Sequence, residues 1–188
     1  MIKNRFTFSE NQITAIHREG EYLWIAFLGT GGISYLYKVS KYNPNVRYFD
    51  LNIQADKITK ITDNGSYIYL SLDDDDYIGM RLSKTSPLTS YFYYTKPVAI
   101  TEEAISLVVG DYTFLLIPGS ISGSDAKLLR FSKTSNSLLG TITLTGINNA
   151  RAITIDDSNN LWVVTYTSPT TLVKIEDGTW NVTSEDIT

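Results

Sequence analysis

The chain has no cysteine, and that absence removes disulfides, thiolate metal sites, iron–sulfur clusters and cysteine nucleophiles together. It has one histidine, His17, placed at the end of an apolar stretch, where a bland polar role at a strand end is expected rather than catalysis. Charged residues make up only 19% of 188, with a formal net charge of -4. Without a basic excess nothing replaces the counterions of a nucleic-acid backbone, so no nucleic-acid partner is expected. The longest apolar run, Tyr22 to Leu28, is far shorter than the roughly 20 residues that cross a bilayer. A soluble chain without membrane insertion is expected. The segment from Met1 to Glu10 alternates polar and apolar residues and lacks a signal peptide's apolar core. No export signal is expected, and the compartment stays open. Phosphate-cradling glycine loops, nucleophile elbows and zinc-protease motifs are also missing.

What is present is apolar and aromatic: 43% hydrophobic residues, with 13 Tyr, 7 Phe and 3 Trp, enough for a real core. A short unit recurs at Ile13-Thr14-Ala15-Ile16, Ile58-Thr59-Lys60-Ile61, Ile105-Ser106-Leu107-Val108 and Ala152-Ile153-Thr154-Ile155. A polar or glycine-containing turn follows each copy, such as Asp63-Asn64-Gly65-Ser66, as a tight hairpin requires. A second apolar strand then carries an aromatic at one place: Trp24, Tyr69, Phe114 and Trp162. A third strand alternates basic and apolar residues, as in Met80-Arg81-Leu82-Ser83-Lys84, the pattern of a half-buried strand. Fourth strands are placed at 46–51, 90–94, 138–144 and 179–183.

Four strands in a period of about 46 residues, with no long helical periodicity, are the signature of a propeller blade. The expected fold is all-β: a single β-propeller domain with four blades of four antiparallel strands, at 13–54, 55–97, 98–148 and 149–188. Residues 1–12, with Phe6 and Phe8, are expected to supply a closing strand to the last blade, because an unpaired strand edge invites association. A fragment of a larger propeller, or half of a dimeric ring, is the alternative.

The stretch Asp156-Asp157-Ser158-Asn159-Asn160-Leu161-Trp162-Val163-Val164-Thr165-Tyr166, continuing to Leu172-Val173-Lys174-Ile175 and Gly178-Thr179-Trp180, resembles the two-component-regulator propeller repeat. It is also similar to streptogramin-lyase and gluconolactonase-like propellers. The match covers roughly 25 residues and is degenerate in the other three blades. Where that repeat has Gly-Gly, this chain has Ser168-Pro169-Thr170-Thr171. The resemblance implies the fold and little of the activity: streptogramin-type lyases need more than one histidine, and propellers host many functions.

The aromatic series reads as packing between blades rather than a stacking ring for sugars. In Tyr91-Phe92-Tyr93-Tyr94, alternate rings are expected on opposite faces, leaving about half to reach solvent or a partner. Asp73, Asp74, Asp75 and Asp76 are weak candidates for calcium, because oxygen ligands suit a hard cation, but the spacing of a calcium loop is absent, so a solvated turn and no cofactor are expected. Loops between second and third strands, Leu28 to Ser34, Asp73 to Tyr77, Pro118 to Asp125 and Tyr166 to Thr171, are rich in Ser, Thr, Gly and Asp, as adaptable recognition loops are. Thr30, Asp73, Asp75, Tyr77, Ser122 and Tyr166 are the candidate ligand-binding residues. The expected function is a non-enzymatic binding or structural module for a protein or carbohydrate (glycan) ligand, compatible with oligomerisation and with carriage on a sensor or a virion or phage surface. The alternatives are a metal-dependent lactonase- or lyase-like enzyme and an architectural propeller fragment.

Overall fold

The computed structural model describes residues 12–187 apart from 44, 54–56, 87–88, 99, 121–122 and 168. The described residues form sixteen strands and no helix. The first sheet holds β1 (Gln12–Glu19), β2 (Tyr22–Leu28), β3 (Ser34–Ser40) and β4 (Arg47–Ile53). The second holds β5 (Lys57–Asp63), β6 (Tyr67–Asp73), β7 (Tyr77–Ser83) and β8 (Tyr91–Thr95). The third holds β9 (Ser106–Val109), β10 (Tyr112–Ile117), β11 (Ala126–Ser132) and β12 (Leu138–Leu144). The fourth holds β13 (Ala150–Ile155), β14 (Leu161–Thr165), β15 (Thr170–Ile175) and β16 (Val182–Ile187). In every sheet the spatial order is the chain order and all pairings are antiparallel. These are four up-and-down blades.

Local chemistry explains the hairpins. At the β5–β6 turn, Gly65 adopts φ 91°, a backbone region that costs other residues steric strain, and its N–H donates to Asp63 Oδ1 at 2.9 Å. The innermost strands β1, β5 and β13 carry a register shift, between Ile13 and Ala15, Ile58 and Lys60, and Ala150 and Ala152. Each begins four residues before the residue that pairs with the blade's aromatic (His17, Thr62 and Thr154), which sets the first strand of the last blade two residues from the alignment of the sequence repeat. A bulge there sharpens the local twist of the strand.

Much of the core lies between blades, and a further buried cluster of Ile25, Phe27, Tyr37 and Val39 belongs to the first blade's other face. Trp24, Ala26 and Leu36 of the first blade pack with Ile58, Ile61, Leu70 and Met80 of the second. Tyr69 and Tyr94 of the second pack with Leu107, Leu115 and Phe131 of the third. Phe114, Leu116 and Leu128 of the third pack with Ile153, Val163 and Val173 of the fourth. Gly79 on β7 permits one of these approaches: a Cβ there would lie 2.9 Å from Leu115 Cδ2 and 2.9 Å from Leu70 O.

Inner strand β1 packs on β5, β5 on β9 and β9 on β13, and among the described residues no strand of the fourth blade packs comparably on the first. The segment expected to close the ring, including Phe6 and Phe8, lies outside the described residues. Gln12, expected in that segment, instead opens β1 and pairs with Leu28.

Two further expectations are corrected. The fourth strand of the last blade runs from Val182 to Ile187 rather than 179–183, because Trp180 turns with φ 57° and lays its ring against Tyr112 and Phe114 of the third blade, at centroid distances of 6.0 and 5.6 Å. Trp162 is only half-buried, whereas its counterparts Trp24, Tyr69 and Phe114 are buried, because among the described residues no strand of another blade packs on its face. On β8 alternate rings lie on opposite faces: Tyr93, with Tyr91 at a centroid distance of 5.9 Å, packs on the cluster shared with the first blade, Tyr94 packs on the cluster shared with the third, and Tyr91 and Phe92 are exposed.

Candidate recognition surface

Antiparallel order places the loops between second and third strands at the same end of the blades as the linkers that lead into the next blade. Backbone hydrogen bonds join the two sets. Lys96 N donates to Asp76 O at 2.8 Å, Ala150 N to Pro118 O at 2.9 Å, and Tyr166 N to Asn149 O at 2.9 Å. Ser124 Oγ donates to Glu102 Oε1 at 3.1 Å. Loops and linkers together therefore form one surface.

A depression of about 520 Å³ on this surface is lined by Asp75, Asp76, Tyr77, Lys96, Pro97, Val98 and Ile100. Two candidates, Asp75 and Tyr77, meet there. The loop is held by its own acids: Asp74 Oδ1 accepts the backbone N–H groups of Asp76 and Tyr77, both at 2.8 Å. That Asx turn leaves Asp75 and Asp76 to line the depression. Tyr77 rests on Tyr93 with ring centroids 4.5 Å apart, a packed aromatic pair that fixes the wall. Asp73, at the end of β6, faces Glu103 instead. Burial and then the neighbouring Glu103 carboxyl hold Asp73 above the usual carboxylate range, while Lys57 and Lys96 oppose the shift.

Thr30 sits on the β2–β3 loop and does not line this depression. Tyr166 stands exposed on the β14–β15 loop, with the Arg151 guanidinium 5.6 Å from its ring centroid. Ser122 lies outside the described residues. The four aspartates Asp73 to Asp76 do not converge: among the described residues no group of three or more His, Asp and Glu side chains is placed to hold a metal ion. The linker residues Lys96, Pro97, Val98 and Ile100 were not among the sequence candidates. Their signal was the chain topology itself, because an up-and-down blade must return to the same end before the next blade begins.

The opposite end carries a charge network. His17 Nε2 lies 2.5 Å from Asp63 Oδ2, Lys84 Nζ lies 2.9 Å from both Asp63 Oδ1 and Glu19 Oε1, and Lys38 Nζ lies 3.1 Å from Glu19 Oε2. Trp24 Nε1 donates to Glu19 Oε2 at 2.6 Å. Burial raises the Asp63 carboxyl, but the Gly65 N–H, Lys84 and His17 outweigh it and bring it down to about 2. His17 and Glu19 belong to the first blade and Asp63 and Lys84 to the second, so the only histidine joins two blades.

No protein-family model matches the chain, and no curated protein matches it. Solved structures do. Streptogramin B lyase aligns over 97% of this chain with TM-score 0.70 at 12% identity. The Pan2 WD40 domain of Neurospora crassa aligns over 93% with TM-score 0.65 at 9% identity. The fold is a β-propeller. This chain spans 57% of the lyase and 49% of the Pan2 domain. It spans 94% of the computationally designed Ika4 protein, with TM-score 0.58 at 10% identity. At these identities the likeness carries the fold alone.

Proposed function

We propose that this chain is a non-enzymatic binding module that recognises a protein segment on the face formed by the second-to-third-strand loops and the linkers between blades. The observation that supports it is Val98, fully exposed at the rim of a depression that also holds Asp75, Asp76 and Tyr77. An exposed aliphatic side chain beside two carboxylates and an aromatic wall suits a peptide bearing an apolar residue next to a lysine or arginine. Apolar contact supplies affinity at such a site, and complementary charge supplies specificity and encounter rate.

A second reading is a glycan ligand, favoured by Tyr166, an exposed ring on the same end of the array. The enzyme reading has less support, because His17 is occupied between blades. A module of this kind suits carriage on a larger sensor or on a virion or phage surface. Selection of peptides from a random display library tests the first reading. Enrichment of basic-apolar peptides, lost in Val98→Asp and Asp75→Lys, supports it. No enrichment, together with glycan-array binding lost in Tyr166→Ala, transfers the function to the second reading.

A further inference from the structure

The third strand of every blade carries a basic residue opposite the repeated aromatic: Lys38 opposite Trp24, Arg81 opposite Tyr69, Arg130 opposite Phe114 and Lys174 opposite Trp162. Three of these have an acceptor. Lys38 meets Glu19, Lys174 meets Glu176, and Arg81 Nη1 donates to the carbonyl of Lys133 in the third blade. Arg130 differs, because among the described residues no carboxylate or carbonyl oxygen pairs with its guanidinium. The group lies 5.0 and 4.6 Å from the ring centroids of Tyr112 and Trp180, and its buried Nε meets no acceptor. Aromatic rings hold a guanidinium in place but leave its N–H fork unsatisfied.

The register also opens this guanidinium to a ligand. In the second blade, the residue opposite Arg81 on the outer strand is Phe92, whose ring lies 5.0 Å from the guanidinium, and Arg81 is 6% exposed. In the third blade, the residue opposite Arg130 is Gly140, where a Cβ would meet nothing within 4 Å. Arg130, Gly140, Thr141, Ile142 and Trp180 line a groove of about 330 Å³. The groove borders a backbone edge, because β12 is the outermost strand of its sheet and among the described residues pairs only with β11.

We propose that β12 accepts an extended acidic segment of a partner protein as an added strand, with a glutamate or aspartate opposite Gly140 whose carboxylate pairs with Arg130. Residues directly opposite one another in a sheet share a face, so that side chain enters the groove over Arg130, and the missing Cβ of Gly140 leaves it room. In strand addition the backbone edge supplies affinity and side-chain pockets supply specificity. Carboxylate is the chemistry that matches a guanidinium fork, with two parallel charge-assisted hydrogen bonds. The site shares no lining residue with the depression beside Val98 and does not rest on the function proposed for that face.

Nuclear magnetic resonance on the isotope-labelled full chain, titrated with the acetylated and amidated peptide Thr-Val-Glu-Val-Thr, reads the outcome. The Trp180 indole and the β12 amides are expected to shift with a Kd below about 1 mM, and the peptide with glutamine for glutamate is expected to bind about tenfold more weakly or worse. Arg130→Gln is expected to weaken the glutamate peptide by a similar factor, about tenfold. So is Gly140→Phe, which restores the cover that Phe92 gives Arg81. Circular dichroism checks folding, and Gly140→Phe, with open space around it, carries the test if Arg130→Gln unfolds. No shift at Trp180 up to about 5 mM peptide overturns the proposal. So does equal binding of the glutamine peptide, and so does acetate binding as tightly as the peptide, which would leave an anion pocket without strand addition.

Discussion

His17 of the first blade and Asp63 of the second approach to 2.5 Å, Nε2 to Oδ2, and this pair sits in a network that also holds Lys84 and Glu19. It links two blades whose apolar cores meet along β1 and β5. The Asp63 carboxyl, brought down to about 2 from its ordinary 3.8, makes stability depend on pH in a defined direction. A depressed carboxylate stabilises the fold above its unfolded value and loses that contribution as pH falls through its folded value.

Asp63→Asn is therefore expected to lower the melting temperature near pH 6 and to flatten its fall between about pH 4 and about pH 2. After allowance for solvent screening the effect is about 1 kcal/mol, or roughly 2–4 °C for a chain of this size. Calorimetry across that window checks it. Equal slopes for wild type and variant would remove Asp63 from the acid response.

Two tryptophans at the same repeat position are expected to differ. Trp24 is fully buried between blades, so Trp24→Ala leaves a cavity and costs about 3–5 kcal/mol. Trp162 is half-buried, and Trp162→Ala is expected to cost about 1–2 kcal/mol. Urea denaturation of the two variants measures the difference directly.

Gly79→Ala is expected to destabilise by about 1–3 kcal/mol through overpacking. The added methyl meets a backbone oxygen, Leu70 O, as well as Leu115 of the next blade, and the backbone oxygen has little freedom to yield. Gly140, with open space around its missing side chain, serves as the control: alanine there is expected to change the denaturation midpoint little.

Asp73→Asn is expected to raise the melting temperature at pH 7. Burial and the facing Glu103 hold the Asp73 carboxyl above its ordinary range, so its ionised form is a liability when both acids are charged. The gain, below about 1 kcal/mol, is expected to shrink as pH falls and the wild-type carboxyl takes up its proton. Melting curves over a series of falling pH values compare the two. Calcium adds a separate arm: a calcium-dependent rise in wild type that Asp73→Asn abolishes would assign the acidic loop to a cation instead.

The blades were legible because each local signal agreed with the others. The strand expected at 138–144 coincides with β12, where a β-branched and leucine-rich run follows a polar turn. The aromatic position on the second strand of each blade was legible for the same reason. Its burial in the last blade was not, because burial of Trp162 depends on what stands beyond that blade and no residue near it encodes that. Trp180 misled the reading for another reason: it has strand-like composition, but contacts with Tyr112, Phe114 and Arg130 hold it in a turn. Of the candidate surface, Asp75 and Tyr77 were legible from loop composition. Val98 was not, because an exposed valine has no compositional mark and became visible only when the linker met the loop.

The chain order of the strands has a consequence for how the protein is made. Among the described residues each strand pairs only with the strand before or after it in the chain, so each of these pairings closes a short loop at small entropic cost. All-β domains are ordinarily slow to fold because they join distant segments. Here the first hairpins need nothing that has yet to be synthesised, and each blade offers the next a finished apolar face as it emerges. The array can therefore grow from its N-terminal side during translation, with the last blade the latest to become protected.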